Sequence, residues 1–281
     1  EYLRFGADIA VIGEGEATMS ELLPAMISGS RLNRVAGIVF RDESGSIVRT
    51  EPRPLIQDLD SIPQPDREAI NMEDYIGMWR KHHGMGSVSL ICARGCPFTC
   101  TWCSRSVYGE THRRRSPKSV VDEIEFLLGR YKPDMLWFAD DVFTIQHKWF
   151  MEFYEEMRRR NIRIPFECIS RADRLNEDVL KKMAEIGAFR IWYGSESGSQ
   201  RILDAMQRRV SIVEIRSITH LAQKYGIQAG LFVMLGYPGE EISDIEDTAE
   251  HLKLTNADTF LTTVAYPIKG TEFHEEVSDR I

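Results

Sequence analysis

The sequence of 281 residues has few of the features that mark membrane, secreted or nucleic-acid-binding proteins. No apolar run approaches the ~20 residues of a membrane-spanning helix, and no secretion signal begins the chain. The net charge of −8 gives no sign of a surface for nucleic acid. Neither a GxxxxGK phosphate-binding loop nor a serine–histidine–aspartate set is recognisable. An apolar fraction of 43% and a charged fraction of 28% are instead typical of a soluble globular protein.

Cysteine is also scarce, and its distribution is uneven. The chain has five cysteines, and four of them lie in LICARGCPFTCTWCSRS, residues 90–106. This crowding does not resemble a disulfide framework; it predicts a metal site in a protein of the reducing cytoplasm. The sequence begins at Glu1 without a methionine and ends at Ile281 within a polar run. We therefore expect it to be a segment of a longer protein.

Two regions of the sequence differ in their pattern of predicted strands and helices. Residues 1–75 predict a strand (ADIAVIG), a turn (EGE), a helix (TMSELLPAMISG) and a hairpin (VAGIVFRD and SIVRTE). The segment PRPLIQDLDSIPQPDRE contains four prolines, which lack a backbone donor and therefore predict an extended connector. We expect one domain over residues 1–75 and a second over residues 80–281. The basic run at residues 113–115 is interpreted as a solvated turn before a helix.

From residue 87 onward, short apolar strands alternate with helices. Six strands and five helical segments are predicted, and one of the helices has Ser116 as its N-cap and Pro117 in its first turn. This alternation predicts an α/β fold with a parallel sheet and right-handed crossovers. Because no Rossmann glycine fingerprint is present, we expect a partial (β/α)6 TIM-like barrel. Its chemistry would collect at the C-terminal ends of the strands.

The cysteine loop follows the first of these strands, at the predicted mouth of the barrel. The loop can hold three irons of a 4Fe–4S cube through Cys96, Cys100 and Cys103, and the fourth iron then has an open coordination position. An open position is what distinguishes a reactive metal centre from a closed, structural one. Cys92 would lie roughly 13 Å from Cys96 in an extended strand, so it is interpreted as a core thiol, as is Cys168. A structural zinc site is disfavoured because no histidine lies at a matching spacing.

The CxxxCxxC spacing, with Trp102 before the last cysteine and RGCP at the first, resembles the radical S-adenosylmethionine (SAM) enzymes over about residues 87–281. Within that family, ARGCPFTCTWC is most similar to the cobalamin-binding branch. The resemblance implies that the open iron binds the amino and carboxylate groups of SAM, whose reductive cleavage releases a 5′-deoxyadenosyl radical. It also implies a small-molecule substrate and an electron donor such as flavodoxin or ferredoxin.

Methyl transfer from cobalamin to an unactivated carbon is the activity that this branch favours. Cyclisation or rearrangement without methyl transfer remains open, because members with those activities share the same motifs. A different class of function also remains open, namely electron transfer by a closed cluster that uses Cys92 as its fourth ligand.

The resemblance also assigns roles to polar groups that follow the predicted strands. Asp140 and Asp141 would meet the SAM ammonium, although helix capping or a solvated turn is the alternative. Arg171 would pair with the SAM carboxylate or with a neighbouring aspartate, and Glu196 would bond the ribose hydroxyls. Ser170, beside Arg171, is a further predicted cofactor contact. Gly236 and Gly239 would let the backbone approach the adenine closely. Trp102 would stack on the adenine or, alternatively, only pack against the protein.

The N-terminal region resembles the end of the Rossmann-like cobalamin-binding domain that precedes the barrel in this branch. Residues 13–16, GEGE, would face the cobalamin tail or form a plain strand-to-helix turn. The cobalt-ligating DxHxxG motif of some cobalamin proteins is absent from the sequence. The resemblance to this branch implies cobalamin as a third cofactor, beside the cluster and SAM, and the residues leave open whether this chain binds it.

Overall fold

The computed structural model describes residues 2–105 and 107–281. Its N-terminal region contains strand β1 (Ile9–Val11), helix α1 (Gly15–Ser28) and strands β2 (Ile38–Arg41) and β3 (Ile47–Arg49). The three strands form an antiparallel sheet in the order β1-β2-β3, with a small core of Leu22, Val35, Ile38 and Phe40. The predicted strand, helix and hairpin are therefore present. Because the described strands of this region pair antiparallel, they do not form the parallel sheet of the expected Rossmann-like remnant.

A second helix, α2 (Met72–His83), follows the proline-rich segment and was not predicted from the sequence. The segment itself has no strand and only two short 3₁₀ turns, at Leu59–Ser61 and Arg67–Ala69. Asn71 caps α2 by accepting a hydrogen bond from the backbone N–H of Asp74. Met72 and Ile76 are buried in the main core, so α2 packs against the main domain.

The main domain is built on a parallel sheet of six strands. These are β4 (Ser87–Leu90), β7 (Met135–Phe138), β8 (Phe166–Ser170), β9 (Ala188–Glu196), β10 (Gln228–Leu235) and β11 (Thr259–Val264). The two short strands between β4 and β7, β5 (Ala93–Arg94) and β6 (Arg113–Arg114), form a separate antiparallel pair. Apart from the β5–β6 pair, which lies between β4 and β7 in the chain, the strands follow one another in the sheet in chain order, and every pairing in this sheet is parallel. The α/β partial barrel predicted from the sequence is confirmed.

Helices occupy the connections between the strands. They are α3 (Pro117–Arg130), α4 (His147–Arg159), α5 (Glu177–Ile186), α6 (Gln200–Ala205), α7 (Ile212–Lys224) and α8 (Ile242–Thr255), and a short α9 (Glu272–Val277) follows the last strand. Ser116 caps α3 and Pro117 lies in its first turn, as predicted. Among the described residues, no helix combines the length and the apolar character that crossing a bilayer requires.

The core lies between the sheet and these helices. The aromatic stripe of α4 packs there as predicted, with Phe150 and Phe153 fully buried. Phe143 meets Phe138 with ring centroids 4.6 Å apart and Trp149 edge-on at 5.8 Å, geometries that add to the burial of these rings. This packing fixes the sheet, and therefore the positions of the loops at its C-terminal edge.

The interpretation of residues 113–115 as a solvated turn is wrong. The side chains of Arg113, Arg114 and Arg115 are only 7%, 3% and 13% exposed, and they pair with Glu14, Asp140 and Glu123 respectively. The pairing of β6 with β5 carries the first two guanidinium groups into the protein, where each needs a carboxylate. The carboxylate partners come from three separate parts of the chain.

Candidate cluster and cofactor site

A cavity of about 420 Å³ opens at the C-terminal edge of the parallel sheet. It brings together eight residues that the sequence singled out: Cys96, Cys100, Trp102, Cys103, Asp141, Ser170, Arg171 and Glu196. The loop after β5 supplies one wall, and the ends of β8 and β9 supply the other. These residues therefore lie at the C-terminal ends of the strands, where barrel enzymes have their active sites.

The cysteine loop is held from three sides. Gly95 has a φ of +83°, and a Cβ there would lie 2.2 Å from the carbonyl oxygen of Thr111, so only glycine fits this crossing. Thr101 is bound to the body of the domain, because its hydroxyl lies 2.6 Å from that of Tyr237 and its carbonyl accepts a hydrogen bond from the N–H of Phe273. Helix α9 and the turn after β10 thus hold the cysteine loop in place.

Two guanidinium groups lie beside the cysteine sulfurs. The Nη1 atom of Arg171 is 3.8 Å from Cys100 Sγ, and the Nη1 atom of Arg208 is 4.0 Å from the same sulfur. Burial raises the pKa of the Cys96 thiol, and it raises the pKa of Cys103 to about 11. The two thiols are therefore protonated at neutral pH and must lose their protons when they bind iron.

The three thiols fit a cluster better than a single ion. Within residues 2–105 and 107–281, no three His, Cys, Asp or Glu side chains converge on one metal position. In a cube each thiolate binds a different iron, so the sulfurs need only line a common space, as they do here. Cys92 and Cys168 are fully buried in the core and do not line the cavity, as the sequence predicted for core thiols.

Arg171 is fixed by several contacts at once. Its Nε donates to Asp173 at 2.8 Å, its Nη2 donates to the carbonyl of Arg208 at 2.8 Å, and its Cζ lies 3.6 Å from the centre of the Phe98 ring. The predicted alternative of a salt bridge to a neighbouring aspartate is therefore realised. Because this bridge uses Nε, Nη1 remains directed at Cys100.

Glu196 is buried at the end of β9, with a φ of +57°. Burial raises the pKa of its carboxyl group, while the nearby Arg208 and Arg171 lower it. The Nε atom of Arg208 is 3.6 Å from Glu196 Oε1, and its Nη2 donates to the carbonyl of Gly194 at 2.9 Å. Arg208 thus joins the cysteine loop to Glu196, a role that no sequence motif indicated.

Asp140 does not reach the cavity, which corrects the expectation that both carboxylates face SAM. Its Oδ1 accepts hydrogen bonds from the N–H groups of Cys92 (2.7 Å) and Ala93 (3.0 Å), and its Oδ2 is 2.8 Å from Arg114 Nη2. Asp141, in contrast, lines the cavity. Burial raises the pKa of Asp141, and no side-chain partner among the described residues opposes that effect.

The two glycines after β10 also lie outside the cavity. Gly236 has a φ of +82° and donates its N–H to Glu240, while Gly239 has a φ of +79° and its carbonyl accepts from Arg201. They form the tight turn that the sequence predicted. The structure does not bring them to the other cofactor residues.

Residues 13–16 contact the main domain. The carboxylate of Glu14 is 2% exposed and accepts hydrogen bonds from Arg94, Arg113 and the N–H of Ile56. Glu16 also pairs with Arg94. Because Arg94 directly precedes the cysteine loop and Arg113 follows it, the N-terminal region holds both ends of that loop.

The "Radical SAM superfamily" model matches residues 90–252. An uncharacterized methyltransferase of Pyrococcus horikoshii is 32% identical over 95% of this chain and 57% of its own length. The anaerobic magnesium-protoporphyrin IX monomethyl ester cyclase of Rubrivivax gelatinosus is 30% identical over 98% of this chain and 50% of its own length. The chain thus spans about half the length of these curated relatives.

A solved structure has the same fold. The radical S-adenosylmethionine methyltransferase TsrM of Kitasatospora setae, with cobalamin and a [4Fe-4S] cluster bound, superposes with a TM-score of 0.81 at 18% identity, covering 99% of this chain and 55% of that one. At this identity the likeness is one of fold. Together with the family match and the relatives at 30% identity or more, it shows that the chain belongs to the radical SAM superfamily.

Proposed function

We propose that Cys96, Cys100 and Cys103 bind a 4Fe–4S cluster whose fourth iron is open to SAM. The observation that carries this proposal is that all three cysteines line one cavity with Asp141, Arg171 and Glu196 at the C-terminal edge of the sheet. When bound, such a cluster supplies the electron that cleaves SAM into methionine and a 5′-deoxyadenosyl radical.

The chain's own residues bind and orient these groups. Arg171 and Arg208 place positive charge beside Cys100 Sγ, at the edge of the cavity that the cluster would occupy. The carboxylate of Asp141, for which the described residues supply no side-chain partner, would accept hydrogen bonds from the SAM ammonium, and Glu196 would accept them from the ribose hydroxyls. Ser170, whose hydroxyl contacts that of Thr144, lines the same wall, and Trp102 lines the cavity beside Arg208.

We further propose that the chain takes part in cobalamin-dependent methyl transfer to an unactivated carbon of a small molecule. A relative named as a methyltransferase and a cobalamin-containing neighbour that covers 99% of this chain support it. The N-terminal region up to about residue 71 would be the end of the cobalamin-binding domain, and the packing of Met72 and Ile76 supports that boundary. We also propose a flavodoxin or ferredoxin as electron donor, no nucleic-acid partner, and a cytoplasmic location.

Cyclisation without methyl transfer is the second candidate, and the relatives named as cyclases at 30% identity favour it. A half-reaction separates the two candidates without an organic substrate. SAM labelled in its methyl group is incubated with the reconstituted chain and cob(I)alamin. Labelled methylcobalamin supports methyl transfer, whereas label that is found only in SAM and methionine favours cyclisation.

The core proposal is tested by cleavage of SAM alone. The chain is reconstituted anaerobically with iron and sulfide, mixed with SAM and dithionite, and assayed for 5′-deoxyadenosine. We expect product from the wild type and from Cys168→Ala, which removes a buried thiol outside the cavity, and none from Cys100→Ala. Absence of product from wild-type protein with a full cluster would refute the proposal.

A further inference from the structure

The segment that carries Glu196 has an irregular backbone. Gly194 pairs with Phe232 and Glu196 with Val233, so Ser195 is an extra residue in β9, a β-bulge. The N–H of Ser197 donates to the carbonyl of Ser195 at 2.7 Å and closes a three-residue turn around Glu196. The φ of +57° at Glu196 is unfavourable for a residue with a Cβ. Bulges and strained residues of this kind recur beside functional sites, where they redirect a side chain.

Helix α8 holds this segment, residues 195–199, through a polar stripe. Asp244, Thr248 and His251 lie on one face of the helix and are all buried. Asp244 accepts from the hydroxyl of Ser199 at 2.6 Å, and His251 Nε2 lies 2.8 Å from the hydroxyl of Ser195.

Thr248 makes the central contact of the stripe. Its hydroxyl accepts a hydrogen bond from the N–H of Gly198 at 2.8 Å and lies 3.2 Å from the hydroxyl of Ser197. A Cβ on Gly198 would lie 2.4 Å from the carbonyl oxygen of Asp247 and 2.5 Å from the Cα of Thr248, so the approach of the segment to the helix requires glycine.

His251 acts as a neutral donor. Arg216 Nε lies 3.1 Å from His251 Nδ1 and can only donate, so Nδ1 is the acceptor and Nε2 carries the proton that is donated to Ser195. Burial and the Arg216 charge lower the pKa of His251 to about 4, so the imidazole is neutral at neutral pH. The ring therefore has a single hydrogen-bonding arrangement, and it holds the bulged residue in place.

Opposite the helix, the segment presents Glu196 to the cavity. Residues 195, 197, 198 and 199 are bound to α8, and Glu196 lines the cavity beside Arg208. A Cβ on Gly194 would lie 2.0 Å from Glu196 Oε1, so the carboxylate lies directly over the backbone of the strand. The direction of this side chain is set by the turn and not by the regular pleat of β9.

We propose that Thr248, His251 and Asp244 are positioning residues, which hold residues 195–199 in the strained turn that aims Glu196 at SAM and so set the affinity for this cofactor. The inference rests on the proposed function, because it assigns Glu196 to SAM. It predicts that a helix residue that lines no part of the cavity controls cofactor binding.

A matched pair of threonine variants tests the proposal. Thr248→Val removes the acceptor for Gly198, and Thr219→Val removes a hydroxyl of α7 that contacts Tyr193, two residues before the bulge on the same strand. Both threonines are buried and both donate to a carbonyl of their own helix at 2.8 Å. The two variants therefore differ chiefly in contact with residues 195–199.

Two measurements are made on each variant. SAM affinity of the reconstituted protein is measured from the change that SAM causes in the electron paramagnetic resonance (EPR) spectrum of the reduced cluster. Hydrogen exchange of the peptide with residues 195–199 is measured in the cluster-free protein. We expect Thr248→Val to weaken SAM binding about tenfold and to accelerate exchange, with both quantities unchanged in Thr219→Val. His251→Gln, which can still donate to Ser195, should retain more affinity than His251→Leu.

The outcomes separate this proposal from the function on which it rests. If wild-type protein shows no response to SAM, the proposed function fails and the positioning role fails with it. If the wild type binds SAM but Thr248→Val and Thr219→Val bind it equally, only the positioning role is overturned. Unchanged affinity in Glu196→Ala would also overturn it, because the turn would then be aiming a carboxylate that SAM does not use.

Discussion

Replacing Asp140 with asparagine should destabilise the fold and leave the affinity of the folded protein for SAM nearly unchanged. The carboxylate of Asp140 is completely buried, and Arg114, its partner, is 3% exposed. The same guanidinium lies 3.8 Å from the centre of the Trp149 ring and donates to the carbonyl of Phe143. Asparagine keeps an acceptor for the backbone N–H groups but directs an amide donor or a neutral oxygen at a buried cation.

The expected loss follows from this burial. Removing one partner of a buried ion pair typically costs about 3–5 kcal/mol, because the other charge remains in a medium of low polarity. For a chain of this size each kcal/mol lowers Tm by about 2–4 °C, so we expect a decrease of at least about 6 °C. Burial raises the pKa of Asp140 and Arg114 opposes that effect, so the loss should lie nearer 3 than 5 kcal/mol.

The assay combines thermal unfolding of the chain under reducing, anaerobic conditions with SAM binding to the reconstituted protein. Asp141→Asn is the matched control, since it makes the same chemical change at the neighbouring residue. That residue lines the cavity, and the part of the chain that the structure describes supplies no side-chain partner for it. We expect Asp141→Asn to leave Tm within about 2 °C and to weaken SAM binding. If instead Asp140→Asn kept its Tm and lost SAM affinity, the assignment of Asp140 to structure and of Asp141 to the cofactor would be reversed.

Four further predictions address other parts of the molecule. Cys92→Ala should keep the full cluster content and lose about 1 kcal/mol of stability, and loss of the cluster measured by iron and sulfide analysis would favour a four-cysteine site. Glu14→Gln should lower the free energy of unfolding by about 3–5 kcal/mol through its buried pair with Arg113; a change below about 0.5 kcal/mol in urea unfolding would argue against this contact between the two regions. His251 has a pKa of about 4 in the fold against 6.5 when exposed, so the unfolded chain binds more protons and stability falls as the pH decreases from 6.5 to 4. The pH-dependent loss should be smaller in His251→Gln by up to about 3 kcal/mol, and identical pH profiles of unfolding would contradict that. Glu196→Gly should be more stable than Glu196→Ala by about 1 kcal/mol because glycine tolerates the positive φ; equal melting temperatures would show that the turn is unstrained.

The parallel sheet was predictable because its strands are short apolar runs. A strand that is buried on both faces has no polar alternation, and its length is bounded by turn residues. The predicted segment QAGLFVML coincides with β10 (Gln228–Leu235), which is mostly buried. The segment TFLTTVAY contains β11 (Thr259–Val264), which is the edge strand and is mostly exposed. Helix α2 was missed because it follows a proline-rich segment and buries only Met72 and Ile76, too few residues for a clear helical period.

The cysteine ligands were predictable because they are contiguous in the sequence, and the residues around them were not. Arg208 lies in a turn after α6, and only the folding of the chain brings it within 4.0 Å of Cys100. Likewise, nothing local distinguishes Asp140 from Asp141. Their different environments arise because Arg114 reaches one of them from β6, across 26 residues.

The charges of residues 113–115 show the same limit. A run of arginines reads as a solvated surface when its partners are unknown. The partner carboxylates of Arg113 and Arg115, Glu14 and Glu123, lie 99 and 8 residues away along the chain. Which carboxylate pairs with each arginine therefore depends on tertiary structure. The pairs of Glu14 with Arg94 and Arg113 connect the N-terminal region to the two ends of the cysteine loop.

The central claim is that three cysteines hold a cluster and leave one iron for SAM. Its most direct measurement is the EPR spectrum of the anaerobically reduced, reconstituted chain, recorded with and without SAM and combined with electron–nuclear double resonance of SAM labelled with ¹⁷O in its carboxylate. We predict a 4Fe–4S signal that shifts on addition of SAM, with coupling of the label to the cluster. A signal indifferent to SAM and without coupling, or bound zinc in place of iron, would contradict the account.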